Sequence, residues 1–275
     1  MYLDYWQLDA KPFEPAAAAR FVFKSAPFEA ALRKLRYVVE NQRHAALVAG
    51  PAGVGKTLLV QSLRETLGDR CQPFSHVVFP QMTDRDLLVY LAERCGAPPA
   101  EPPRYTIEES LRRLEFTLGE NTRQGRRAVI VIDEAHLLED SGLVEPLRLL
   151  LNLNGAGAPS FTLLLVGQPG VVPMVERHGG LEERLDLKVL LPALAAEETA
   201  AYIKHRLQAA GATRDIFTAD ALTTAHQLCG GIPRRINRLC DLALLVGFAE
   251  SQHAISPDHL HAVHDELIAV LPLAA

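Results

Sequence analysis

No Cys-x-x-Cys pair occurs in this sequence. The four cysteines, Cys71, Cys95, Cys229 and Cys240, lie scattered through 275 residues. Neither a zinc site nor a disulfide framework is indicated, and buried free thiols are expected. No apolar run approaches the roughly 18–20 residues of a membrane-spanning helix. The longest such runs, 128–132 and 161–166, are strand-length. The opening Met1-Tyr-Leu-Asp-Tyr-Trp6 lacks the basic start and continuous apolar core of a secretory signal, so a cytoplasmic location is expected. Excess positive charge is also missing. The net charge of −5 gives no overall field for nucleic acid and leaves only local patches for one. There is no internal repeat, and no low-complexity tract beyond a short alanine run at 16–19. What is present, 48% apolar and 22% charged residues, is the composition of a globular protein. The length suits one large domain, or a large one with a small one.

Against that background one stretch is specific. Gly50-Pro-Ala-Gly-Val-Gly-Lys-Thr57 fits G-x-x-x-x-G-K-[ST], the phosphate-binding P-loop. Residues 45–49 before it are apolar and read as a buried strand. Residues 58–67 after it have helical spacing, which is the context the motif requires. Glycines at 50, 53 and 55 permit torsions and close approaches that a Cβ would block. The loop N–H groups and the positive end of the following helix then face one anion. The nucleotide-binding set is therefore Gly50, Pro51, Ala52, Gly53, Val54, Gly55, Lys56, Thr57 and Leu58. Lys56 serves the β- and γ-phosphates of ATP, and Thr57 serves Mg²⁺.

A second apolar run, 128–132, suits a central parallel strand and ends in Asp133-Glu134-Ala135-His136. Carboxylates at the C-terminal end of a buried strand lie where open α/β sheets place ligands. Asp133 is expected to hold Mg²⁺, and Glu134 to orient or deprotonate the attacking water. His136 completes the letters Asp-Glu-Ala-His found in helicases. No Ser-Ala-Thr box and no second RecA-like half accompany it, so a supporting or solvent-facing histidine is expected. A third apolar run, 161–166, ends in Gly167-Gln168-Pro169, which directs the Gln168 amide toward the γ-phosphate.

Further strands are expected at 74–79 and 186–191, alternating with helices, which implies a parallel sheet with crossover helices. Helices are expected at 27–41, from a cap at Thr83, from the Thr106 capping-box pattern, at 143–153 and at 173–179. Residues 96–104 are proline-rich and read as loop, and 121–127 as a basic surface connection. Beyond Pro192 no strand pattern appears. Helices at 196–210, 219–229, 233–250 and 257–268 form a small bundle. Residues 1–27, with Trp6, Phe13, Phe21 and Phe23 among prolines, read as an irregular arm packed on the main domain. Its aromatics either line an adenine pocket or simply pack. The domains expected are thus 1–27, 28–192 and 193–275.

These motifs resemble those of AAA+ ATPases, and among them the ExeA-like, or general secretion pathway protein A, group. The likeness covers nearly the whole chain. It is carried by the opening Met1 to Trp6 with Lys11-Pro-Phe-Glu14, by Leu147-Arg-Leu-Leu-Leu-Asn152, by Leu165-Val-Gly-Gln-Pro169, by 197–206, and by Gly230-Gly-Ile-Pro-Arg-Arg-Ile-Asn-Arg-Leu-Cys240. The resemblance implies an α/β P-loop fold with a five-stranded parallel sheet and a helical lid, and ATP bound between the two domains. It places Gln168 at sensor 1 and Arg234 at sensor 2, with Arg235 and Arg238 as rivals. It places Arg184 as a finger acting on a neighbour's nucleotide, with Arg177 as rival and a surface ion pair to a local glutamate as the plainer role. ExeA itself carries a membrane helix and a periplasmic peptidoglycan-binding part after the ATPase. This sequence shows neither up to Ala275, so direct wall contact is not expected of it.

Three functions follow from these readings. One is an oligomeric ATPase of a secretion- or envelope-assembly machine, with a homo-oligomer and a further protein as partners. Another is an ATP-gated DNA adaptor of the transposition-regulator type, using Arg123, Arg126 and Arg127 with Arg235 and Arg238. The third is a cytoplasmic ATPase that assists envelope assembly without DNA. No guanine-reading Asn-Lys-x-Asp motif is present.

Overall fold

A computed structural model describes residues 2–14, 19–78, 82–98, 106–155 and 158–269. The chain forms two units, each with its own apolar core. One comprises 27–51 and 56–191. The other comprises 1–26, 52–55 and 192–275.

The first unit is built on β1 (Ala45–Ala49), β2 (Phe74–Val77), β3 (Ala128–Ile132), β4 (Asn154–Gly155), β5 (Ala158–Pro159), β6 (Phe161–Gly167) and β7 (Leu185–Leu190). Five of them make a parallel sheet in the order β2-β3-β6-β1-β7. Every residue of β1, β3 and β6 is buried. Continuous apolar runs, without alternation, are what strands covered on both faces require. Register aligns Ala49 with Gly167, and Ile132 with Leu165. The segments that follow β1, β3 and β6 therefore leave the sheet side by side, at the strands' C-terminal ends.

Edge strand β7 pairs with β1 through a register shift at Ala45/Ala46. Asp186 lies in the slip, and its Oδ2 accepts from the main-chain N–H of His44 (2.8 Å) and Ala45 (3.4 Å). Thr83 and Thr106 cap their helices as their sequence patterns require. Strand β2 ends at Val77, short of the expected 79, and Phe79 lies outside the described residues, as do 99–104 of the proline-rich loop and 16–18 of the alanine run. The leucine-rich helix is shorter than its apolar pattern, Val144–Leu150. The glycine-containing stretch after it pairs as the antiparallel ribbon β4–β5, which the sequence reading had as a plain helix end.

Helices Ala196–Ala209, Ala219–Cys229, Pro233–Ala249 and Pro257–Ala269 form the second unit. Its core includes Ile203, Ile236, Leu239, Leu244 and Leu260, all essentially inaccessible to solvent. The aromatic arm belongs here, which corrects the expectation that it packs on the α/β domain. Tyr2–Trp6 is a helical turn where irregular chain was expected. Trp6 is buried, and its indole N–H donates to Leu244 O (2.9 Å). Buried Arg206 donates to Pro12 O and Glu14 O (2.5 and 2.6 Å) and lies over the Phe21 ring. The arm's aromatics thus take the packing role of the two proposed for them. A large apolar payload and a desolvated guanidinium hold the segment to the bundle.

Candidate nucleotide site

The turn from β1 into helix Lys56–Thr66 has Gly53 at φ 84° and Gly55 at φ 106°. Both lie in the left-handed region that a side chain disfavours. A Cβ on Gly53 would also lie 2.8 Å from Arg234 Cβ and 3.2 Å from Ile232 Cγ2. Arg234 N–H donates to Gly53 O (3.2 Å). The loop apex, 52–55, is thereby grouped with the helical unit. At the loop's start, Gly50 N–H donates to Gly167 O (3.2 Å).

Lys56 is buried, and its ammonium donates to Gly50 O (2.9 Å) and Pro51 O (3.0 Å). Thr57 Oγ1 donates to Asp133 Oδ2 (3.1 Å). Asp133 is buried. It also accepts from His76 Nε2 (3.2 Å) at Oδ2 and from Glu134 N–H (2.9 Å) at Oδ1. Burial alone would push the Asp133 carboxyl up. The hydrogen bonds from His76, the Glu134 N–H and Thr57 outweigh it and hold the group below the usual carboxylate range.

Among the described residues no cluster of three or more His, Cys, Asp or Glu could enclose a metal. The pair of one hydroxyl and one ionised carboxylate is instead what Mg²⁺ takes when phosphates and waters supply the rest. On that donor chemistry and the glycine cradle, the residues fit both ATP and Mg²⁺.

Glu134 follows with φ 50° and ψ 36°, left-handed although it is not glycine. That turn separates its side chain from the direction of Asp133. Its Oε2 is shielded from solvent without a hydrogen-bond partner, 3.4 Å from His136 Nδ1. Gln168 N–H approaches His136 Nδ1 (3.5 Å), and its side-chain Nε2 approaches His136 Nε2 (3.2 Å). Of the two roles expected for His136, the supporting one is realised.

The structure thus gathers Gly50, Lys56, Thr57, Asp133, Glu134 and Gln168 around the ends of β1, β3 and β6. Arg184 is not linked to any of them by a hydrogen bond or ion pair among the described residues. It donates to Gly180 O (2.7 Å) and Asn152 Oδ1 (2.6 Å), in place of the local glutamate expected as its plainer partner. Its rival Arg177 pairs with Glu139. Arg234, Arg235 and Arg238 are exposed.

The connection 121–127 is exposed at 122–126, as expected, and turns inward at its two ends. Asn121 is buried and donates to Cys95 O (3.1 Å). Arg127 turns inward onto Thr162 Oγ1, Phe161 O and Arg43 O. Arg123 pairs with Glu120, and Arg126 donates to Asn121 and Gln124. Intramolecular partners thus engage three of the five arginines assigned to DNA. Sequence reasoning missed His76, whose only signal was a lone imidazole inside the apolar run of β2.

Comparison with known proteins agrees with this arrangement. Residues 39–175 match the family described as AAA domain. General secretion pathway protein A of Aeromonas hydrophila is 32% identical over 262 residues, covering 93% of this chain and 46% of that protein. The chain therefore spans under half the length of that relative. In fold, it is similar to Drosophila ORC bound to DNA, with a TM-score of 0.71 at 16% identity, covering 96% of this chain and 66% of that one. It is also similar to the ADP form of the Aeropyrum pernix ORC2 protein, with a TM-score of 0.68 at 16% identity, covering 94% and 72%.

Proposed function

The chain belongs to the AAA+ family, in its ExeA-like group, and on that premise we propose that it binds ATP with Mg²⁺ and hydrolyses the γ-phosphate. The observation that carries the reading is the contact of Thr57 with Asp133 directly beneath the glycine turn. A P-loop hydroxyl and a strand-end carboxylate are the two protein ligands this chemistry uses for its metal. Held by Thr57 and Asp133, Mg²⁺ would supply neutralisation of charge on the phosphates.

The loop N–H groups and Lys56 hold the phosphates. Glu134 accepts a proton from the attacking water and orients it, a role worth roughly 10²–10⁴ in rate. Gln168 donates its amide toward the γ-phosphate. Arg234 joins the loop apex to the bundle through Gly53, so a change at the phosphates is felt in helix Pro233–Ala249.

We further propose that copies associate and that Arg184 serves a neighbour's nucleotide, that a second protein receives the resulting motion, and that the reaction runs in the cytoplasm. No helix among the described residues is long and apolar enough to cross a membrane. The secretion- or envelope-assembly role rests on the likeness to General secretion pathway protein A.

The test is phosphate release by the purified chain with Mg²⁺, with chelator, and as Lys56→Ala. Hydrolysis is expected only in the first. Equal hydrolysis in all three overturns the mechanism. Activity per chain that stays flat as protein concentration rises removes Arg184 as a group acting in trans.

A further inference from the structure

The hydrolytic reading uses Glu134 and Gln168 and leaves His136 without a task. We propose that His136 is a positioning residue that sets the Glu134 carboxylate and the Gln168 amide relative to each other. The proposal rests on the ATP-hydrolysing reading of the same site.

The argument starts from the main chain. Gly167 packs so closely on the turn after Glu134 that a Cβ would lie 3.1 Å from His136 N and 3.4 Å from Ala135 N. The two loops therefore touch backbone to backbone. Gly167 O also accepts from Gly50 N–H, which brings the start of the P-loop into the same junction. Within it, the imidazole is the side chain that reaches both polar partners. Nδ1 is 3.4 Å from Glu134 Oε2, and Nε2 is 3.2 Å from Gln168 Nε2.

In the neutral ring Nδ1 faces two groups, Glu134 Oε2 (3.4 Å) and the Gln168 main-chain N–H (3.5 Å), and the nearer, charged carboxylate selects the proton for that nitrogen. The ring N–H then faces a carboxylate oxygen that otherwise lacks a partner, and the bare Nε2 accepts from the amide. The opposite tautomer accepts the Gln168 main-chain N–H at Nδ1, but turns the same lone pair toward the carboxylate and leaves that oxygen unsatisfied. Glu134 stands on a left-handed turn, and its side chain is partly exposed. Without the ring, no hydrogen bond from the described residues reaches its Oε2 to fix the carboxylate's rotation. A base whose orientation is lost still permits nucleotide to bind, so the cost falls on kcat.

The test combines kinetics with a measurement independent of turnover. For His136→Ala, kcat for ATP should fall roughly 10–100-fold, the usual loss when a group that orients a reacting residue is removed. KM and the affinity for a fluorescent ATP analogue should stay within about threefold of the parent. His136→Asn, whose amide N–H can occupy the Nδ1 position, should recover most of the loss, and His136→Phe none. Imidazole ¹⁵N resonances of the full chain, assigned by their absence from His136→Asn, should report the Nδ1-protonated tautomer. That tautomer should be lost in Glu134→Ala.

A kcat for His136→Ala within twofold of the parent overturns the proposal. So does a parallel loss of nucleotide affinity, an asparagine variant no better than alanine, or an Nε2-protonated ring in the parent. If the parent itself releases no phosphate, the hydrolytic reading fails, and the tautomer alone decides whether the ring holds the carboxylate.

Discussion

At the N-terminal ends of the parallel strands, Arg127 donates to Thr162 Oγ1 (3.2 Å), Phe161 O (3.0 Å) and Arg43 O (3.2 Å), while Thr162 itself donates to Arg43 O (2.8 Å). Asp186 takes two main-chain N–H groups nearby and pairs with Arg43. At the C-terminal ends, Lys56 rests on carbonyls of its own loop, and Glu134 Oε2 lacks a hydrogen bond. Both clusters are polar, partly buried and charged. In the first, donors and acceptors are matched within the fold, and burial pushes the Arg127 guanidinium down to about 10. In the second, Glu134 Oε2 is left unmatched. The contrast separates polar groups that hold the sheet together from polar groups that the proposed reaction would use.

Substitution at the two ends should therefore move different observables. The largest effect belongs to Glu134→Gln. Phosphate release should fall roughly 10²–10⁴-fold, while ATP affinity and the thermal midpoint hold. Lys56→Ala should weaken Mg·ATP binding by roughly 10–100-fold in a titration, from loss of a charge-assisted hydrogen bond. At the other end, Arg127→Met should lower stability by about 1–3 kcal/mol in urea, since it removes three hydrogen bonds and the guanidinium donor to Phe161 O, and leave ATP affinity alone. Thr162→Val should do the same on the smaller scale of about 0.5–1.5 kcal/mol. An Arg127→Met variant with normal stability and poor hydrolysis would erase the distinction.

The chemistry-bearing end was the legible one. Gly50 to Thr57 and Asp133-Glu134 are local patterns whose spacing encodes their geometry, and the apolar runs of β1, β3 and β6, the last broken only by Thr162, announce a doubly covered parallel sheet. Arg127 was misread because a basic residue in a polar connection looks solvated until the strand beside it supplies Thr162 and Phe161 O. His76 was missed because its partner, Asp133, lies on the neighbouring strand, a contact set by sheet order that no window of sequence contains. The aromatic arm was correctly read as packed. Its host was not evident, because nothing local to Trp6 or Phe13 indicates that Leu244 and Arg206 receive them.

Asp186 carries a consequence for the sheet's outer edge. Side chains alternate across a strand, so sliding β7 by one position would exchange its two faces. Val189, now 3% exposed, would trade places with Lys188 and Leu190, and an ammonium would be driven toward the apolar layer. The carboxylate clamped on His44 and Ala45 acts as a doorstop against that slide. One acidic side chain thus keeps the last strand honest about which way it faces.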